Sequence, residues 1–403
     1  MHATSRRSFL CLGVASGAAL AMPGCATGPV RTAANPAYLQ LQPASRPGCA
    51  ALAMTPTKLW RSACQQAVSR TSDLAWLKRG DSVFVKVVSN SGHAHPAVTA
   101  PQAVEAMVAL LRDAGAGRVL VGDQAGVEHV RRWKTGRRSS TRQRFAQNGL
   151  LQAIERSGAE LFCFDDQPWE MHFRPQADFA NLWGDRLWLP SIVREVDHIV
   201  VLPRLGAHAL AGYSCGVKAA VGWLRDDSRL ALHREGDVFF QRLAEINHVP
   251  ELRNKVRLVV TLVDKALTSI GPDFGAVYEF PGCLALASTS LVDHDAVASL
   301  LLPWLREHSG FSFYDFYEPY PEHVNYWNRR FVEDTWGEPE VTHYRSLVPG
   351  RFGAAIAQDV ALSHLATLQQ RRVDRIVVRP GADRLPDAIM AHLRSSSAGM
   401  VAI

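Results

Sequence analysis

Closely spaced cysteine pairs are missing: of the seven cysteines in this 403-residue chain, no two stand in a Cys-x-x-Cys arrangement. That excludes the usual four-thiolate cradle of an iron–sulfur cluster and the structural zinc ribbon, both of which need close-set sulfur ligands. The chain also lacks a Walker loop, a Gly-x-Ser-x-Gly elbow, a His-Glu-x-x-His helix and an EF-hand loop, so ATPases and serine hydrolases lose their usual supports. Gly115-Ala116-Gly117 follows a helical stretch rather than a strand, and is therefore no dinucleotide fingerprint. Charge is scarce too. The net charge is +6, and removing Arg6 and Arg7 leaves +4, too small a surplus over so long a chain to indicate a nucleic-acid partner. What is present is an ordinary globular composition, 47% hydrophobic and 20% charged, which excludes disorder, collagen and coiled coil. The length allows two or three domains at roughly 100–200 residues each.

The N-terminus reads as an address. Ser5-Arg6-Arg7-Ser8-Phe9-Leu10 precedes an uncharged apolar run from Phe9 to Met22, too short for the roughly 20 residues that span a bilayer. This resembles a twin-arginine export signal, with Cys11 where a basic residue is usual, and implies a periplasmic protein that folds, and can acquire a cofactor, before export. Met22-Pro23-Gly24-Cys25 reads either as a lipoprotein box, with Cys25 as a lipid anchor, or as ordinary cleavage near Ala26. The expected organisation is a signal over 1–25, a Pro/Ala/Gly/Thr-rich tether over 26–57, an α/β domain over 58–308, and an aromatic-rich flap with a C-terminal α/β extension over 309–403.

Ser82 to Val88 is β-branched and apolar. Thr99 then reads as the cap of a helix carrying Pro101 in its first turn and Val104, Met107, Val108 and Leu111 at helical spacing, and Val119 to Gly122 is the next strand. Strand, helix and strand within about 40 residues make a βαβ unit, hence a mostly parallel, Rossmann-like sheet flanked by helices. Further elements are a helix over 144–157, strands over 160–164, 198–202, 256–263 and 284–287, a helix over 293–306, and in the tail a helix over 354–370, a strand over 375–378 and a helix over 387–394. Ten aromatics between Phe311 and Trp336 suit either a lid over a pocket or a satellite hydrophobic cluster under a long loop. Cys49 and Cys64 are placed to pair in an oxidising compartment, whereas Cys163 and Cys215 read as small buried thiols.

The segment from Asp197 to Asn247 is the most informative, because its Pro, Gly and His residues follow a strand, where open α/β sheets bind ligands. Here the order of motifs resembles the domain-of-unknown-function 362 family over about residues 80 to 302. Lys86 stands in the first strand, with Asn90 after it, and Gly122-Asp123 ends the next. Leu202-Pro203-Arg204-Leu205-Gly206-Ala207-His208 matches the family's Leu-Pro-Lys-Leu-Lys-Thr-His with Arg204 and Gly206 in place of its lysines. Gly216, Lys218 and Gly222 match its glycine helix, with Ala219 for Asn, and Asp295 its late helix. At the level of fold alone, kinship with the lactate-racemase type of nickel-cofactor enzyme is a further thought.

Physically, His208 and His233 lie on either side of a helix, and His93 and His95 could join them at one sheet edge as metal ligands or proton-transfer groups; a capping or surface role is the alternative for each. Lys218 could meet an anion drawn to the N-terminus of its helix, or be solvated. Asp226 could bind a hard cation, Asp227 reads as part of an exposed loop that pairs its own charges, and Asp293 reads as a helix cap. The expected catalytic groups are His208, Lys218 and His233; the cofactor contacts are Arg204, Lys86, Asp123 and Asp295; and the metal ligands come from His208, His233, His93, His95 and Asp226. Seven basic residues between Arg131 and Arg144 read as a solvated loop, an anion-binding lid or a contact with acidic lipid. The leading expectation is a metal or metal-containing cofactor serving redox or proton-transfer chemistry on a small anionic substrate. The rival is a non-catalytic periplasmic binding protein for an anionic small molecule or a partner protein.

Overall fold

Alternation along Ser82–Val87 sends Phe84 to one face of a sheet and Val83, Val85 and Val87 to the other, where each joins a separate core cluster. A strand buried on both faces belongs in the middle of a parallel sheet covered by helices. The computed structural model describes residues 48–55, 59–269, 271–309, 321–338, 340–342, 360–371, 376–381, 386–396 and 401–402. Its strands in chain order are β1 (Gly48–Thr55), β2 (Ser82–Val87), β3 (Arg118–Asp123), β4 (Arg131–Trp133), β5 (Gly136–Arg138), β6 (Glu160–Cys163), β7 (His172–Phe173), β8 (Leu189–Pro190), β9 (His198–Leu202), β10 (Gly206–His208), β11 (Gly212–Ser214), β12 (Val256–Leu267), β13 (Val277–Ser288), β14 (Ile376–Pro380) and β15 (Val401–Ala402). The helices are α1 (Trp60–Ser69), α2 (Pro101–Asp113), α3 (Thr141–Asn148), α4 (Leu150–Ser157), α5 (Ile192–Glu195), α6 (Gly216–Ala219), α7 (Asp226–Arg234), α8 (Phe239–Ile246), α9 (Pro250–Arg253), α10 (Leu291–Glu307), α11 (Pro321–Trp336), α12 (Val360–Leu368) and α13 (Asp387–Ser396).

Eleven strands form one sheet in the order β15-β14-β1-β13-β12-β9-β2-β3-β6, with β10 pairing β11 and β12. The pairs β2–β3, β2–β9, β3–β6, β9–β12, β1–β14 and β14–β15 are parallel, whereas β13 runs antiparallel to both β1 and β12. The fold is α/β with a mostly parallel sheet, as its sequence pattern predicts.

Several local expectations are corrected. Residues 48–55, read as the end of a tether, are instead β1, inserted between β13 and β14, because Ala50, Leu52 and Met54 on one face and Ala53 on the other fill both cores. The helix expected over 144–157 is two helices, divided at Gly149, whose φ of +87° an L side chain rarely adopts. Thr99 is not a cap: its Oγ1 accepts from Val88 N at 2.9 Å and donates to Leu202 O at 2.8 Å, tying β2 to β9 where their carboxyl ends emerge. The cap of α10 is Ser290 rather than Asp293.

Cys49, Cys64, Cys163, Cys215 and Cys283 are free. Cys49 and Cys64 do not pair, because the thiol beside Cys64 is Cys283, and Cys283 stands opposite Thr55 at the other end of β1 from Cys49. Six residues of strand separate the two ends, roughly 20 Å at about 3.3 Å per residue.

Candidate functional site

The parallel strands β2, β3 and β9 deliver Lys86, Asp123 and Arg204 to the same carboxyl edge of the sheet. Lys86 is wholly buried, 2.7 Å from Asp123 Oδ1, and its Nζ donates to Val87 O at 2.8 Å and Ala219 O at 3.0 Å. Asp123 Oδ2 accepts from Ser89 N at 2.8 Å. Burial lowers the Lys86 pKa and Asp123 opposes that shift, so this is a closed internal ion pair in a dry place. The motif glycine Gly222 lies over it, since a Cβ there would fall well inside contact distance of Asp123 Oδ1 and Lys86 Nζ.

Gly216 and Asp295 explain each other in the same way. Asp295 Oδ1 and Oδ2 accept from Gly216 N at 2.9 Å and Val217 N at 2.7 Å, and a Cβ on Gly216 would lie 2.7 Å from Asp295 Oδ1. The anion at the start of α6 is therefore the chain's own carboxylate, so the amides of Gly216 and Val217 are already taken and an anion that meets Lys218 does so without them. Asp295 thereby fixes the short helix that carries Lys218.

Lys218 itself, half-buried on α6, makes no hydrogen bond or ion pair with any described residue. Burial, then the charges of Arg204 and Arg229, push its pKa down to about 7. Arg204 is also buried. Its Nη1 donates to Pro96 O at 3.3 Å and its Nη2 to Ala207 O at 3.2 Å, while Nε has no partner among the described residues; burial takes its pKa to about 10. The family lysine replaced by Gly206 would be crowded here, as a Cβ at 206 would stand 2.9 Å from Arg204 Nη1 and 3.0 Å from Leu267 O. Arg229 is a buried member of the group on α7, donating to the carbonyls of Ala125, Gln124, Leu224 and Gly222.

The two buried histidines have opposite tautomers. His208 Nδ1 accepts from Leu210 N and Ala211 N, both at 3.2 Å, so the neutral ring carries its proton on Nε2. Asn328 on α11 donates its amide to His233 O at 2.8 Å, which leaves Asn328 Oδ1, 3.3 Å from His233 Nδ1, as an acceptor for the Nδ1 proton, with the lone pair on His233 Nε2. Burial and then Lys218 depress both pKa values, that of His233 to about 3 and that of His208 well below the ordinary imidazole range. Phe331 and Trp336 of α11 pack on the His233 ring, at 4.8 and 6.2 Å between centroids, so part of the aromatic segment covers this histidine. Residues 311–320 of that segment lie outside the described residues. Asn328 carries no sequence signal, because its role depends on where α11 docks.

The remaining expected metal ligands are elsewhere. His95 Nε2 lies 2.9 Å from Asp264 Oδ1 and its Nδ1 3.2 Å from Val98 O, so both nitrogens are engaged. His93 is exposed. Asp226 accepts from Gln124 Nε2 at 2.7 Å and Arg132 N at 3.0 Å, fastening β4 to the start of α7. Arg225-Asp226-Asp227 is thus a helix start, although Asp227 does pair with its neighbour Arg225, at 2.6 Å.

Among the described residues, two groups of three have donor atoms close enough to share a cation, Cys215–His294–Asp295 and Glu128–His129–Asp273, and neither contains His208, His233, His93, His95 or Asp226. The first is a closed knot: Asp295 already accepts two backbone amides, His294 Nε2 lies 3.2 Å from Thr261 Oγ1, and burial holds the Cys215 thiol protonated. In the second, Asp273 accepts from Asn90 Nδ2 at 3.0 Å and Ser91 Oγ at 2.9 Å and faces His129 Nε2 at 3.0 Å. The basic run folds as the β4–β5 hairpin and its flank, where Arg137 and Arg142 pair with Asp165 and Asp166, and Arg132 lies over Trp169.

Comparison with known proteins adds a family and a coarse likeness of fold. No curated protein matches this chain. A solved structure of the lactate racemase apoprotein from Thermoanaerobacterium thermosaccharolyticum is similar at 11% identity, over 87% of each chain, with a TM-score of 0.39. A structural-genomics protein from Thermotoga maritima is similar at 11% identity over 52% of each chain, with a TM-score of 0.31. The family model described as Domain of unknown function (DUF362) matches residues 83–299, which takes in Lys86, Asp123, Arg204, His208, Lys218, His233 and Asp295, and this chain belongs to that family.

Proposed function

We propose that this protein, exported by the twin-arginine route, captures a small anionic molecule at the carboxyl edge of its sheet and moves a proton on it with His208 and His233. The observation that carries the reading is the Lys218 ammonium, half-buried, unpartnered among the described residues, and under the like charges of Arg204 and Arg229 with only Asp123 opposing them. An unpaired cation in such company is costly, and a bound anion relieves the cost. The unpartnered, buried Nε of Arg204 offers the anion a second donor.

Proton transfer follows from the tautomers. His208 presents an N–H that can donate to a developing negative charge, and His233 presents a lone pair that can accept a proton. Burial first, and then the charge of Lys218, make His233 a weak base. An anion beside Lys218 offsets the electrostatic part of that depression and leaves the part due to burial, so bound substrate makes His233 a stronger base. His208 as a metal ligand through Nε2 would require a proton on Nδ1, directed at two amide N–H groups, so the reading does not rely on metal there.

Calorimetric titration with glycolate, malonate and phosphate tests the anion, and deuterium uptake at the carbon next to the carboxylate tests the proton transfer. Lys218→Met should weaken binding at least tenfold. His233→Gln should abolish exchange with affinity held within about threefold. Unchanged affinity in Lys218→Met removes the reading. Affinity without exchange, surviving loss of both histidines, identifies the non-catalytic binding protein. Elemental analysis of the same preparation scores metal. Export is tested by fractionation, with Arg6→Lys/Arg7→Lys expected to hold the protein in the cytoplasm.

A further inference from the structure

We propose that Lys218 is a nucleophile whose amine forms an imine with the carbonyl of a small oxo acid, an inference that rests on the anion site above and names its substrate class. Two lysines reach this edge of the sheet, and only one is available. Lys86 is sealed, with Nζ shared among Asp123, Val87 O and Ala219 O. Lys218, next to Ala219 in the chain, is half-buried and has no acceptor among the described residues that would hold its proton. Burial first, then the charges of Arg204 and Arg229, with Asp123 opposing them, disfavour its ammonium relative to the free amine, the usual way a lysine is made nucleophilic at neutral pH.

The other groups supply what the step needs. Arg204 Nε, buried and unpartnered, is a donor for the carboxylate of the acid. The Lys218 nitrogen attacks the carbonyl carbon, a C–N bond forms, and the oxyanion accepts a hydrogen bond from His208 Nε2–H. His233 Nε2 relays both nitrogen protons in turn to that oxygen, which leaves as water as the C=N bond closes. Nothing is oxidised or reduced, and both imidazoles end as they began.

Full-chain protein incubated with pyruvate and sodium borohydride tests this by intact mass and peptide mapping. One reduced adduct per chain is expected, on Lys218 among the seven lysines of the sequence. Propionaldehyde, which has the carbonyl without the carboxylate, should label at least tenfold more slowly. Lys218→Arg removes the primary amine and should lose the adduct, with no other lysine labelled in its place. Pyruvate and propionate binding without an adduct, or an adduct spread over other lysines, overturns the imine and leaves the anion site standing. Failure to bind either acid overturns both.

Discussion

Asp295 on α10 accepts the amides of Gly216 and Val217, 79 and 78 residues earlier in the chain, and thereby fixes the short helix that carries Lys218. Asp295→Ala leaves both amides buried without an acceptor, at about 1–3 kcal/mol for each group. We expect a loss of about 3 kcal/mol in urea unfolding and a fall of at least tenfold in affinity for the anion. Asp295→Asn retains one acceptor and should recover part of both.

Gly222→Ala drives a methyl group into the Lys86–Asp123 pair. Overpacking costs about 1–3 kcal/mol, and disturbing a buried ion pair raises that figure. A lowering of the urea midpoint at unchanged slope is the expected result; an unaltered midpoint would show that the backbone there yields easily.

The same pair offers a sharper test. Lys86→Met strands the Asp123 carboxylate in a buried place, at about 3–5 kcal/mol, whereas Lys86→Met/Asp123→Leu removes both charges and should be less destabilising than the single change. A double variant less stable than the single one would mean that the hydrogen bonds to Val87 O, Ala219 O and Ser89 N outweigh the charge.

Acid should destabilise the fold. His172 and His233 have pKa values lowered to about 3 from an unfolded value near 6.5, with burial the first cause in each. Between those values the unfolded chain binds more protons, so stability is fully present above about pH 6.5 and is lost as pH falls toward 3. Tm measured from pH 7.5 to 4 should drop, and His233→Gln should flatten the slope.

Thiol accessibility checks the packing. Iodoacetamide on native protein should label Cys49, which is partly exposed, and leave Cys64, Cys163, Cys215 and Cys283 untouched until denaturant is added. Burial raises the pKa of Cys64 and Cys283 to about 12 and pushes that of Cys163 higher still, so these buried thiols are unreactive as well as hidden.

The sequence by itself determined the α/β class, most strand and helix positions and the family motifs, because apolar period and turn chemistry are local properties of the chain. It placed Lys218, Arg204, His208 and His233 among the candidates for the same reason, as they stand close together in motif-rich sequence. Tertiary structure decided what each one does. Lys86 and Asp123 became a sealed pair only because Ala219 and Gly222 lie over them, and Asp295 became the acceptor of the two amides that open α6. The tautomers of His208 and His233 follow from backbone amides and from Asn328, 95 residues away from His233. Residues 48–55 could not be read as a strand, since their neighbours in the sheet come from β13 and β14, far along the chain. Partners at such separations are selected by packing and desolvation, and these leave no trace in the spacing of neighbouring residues.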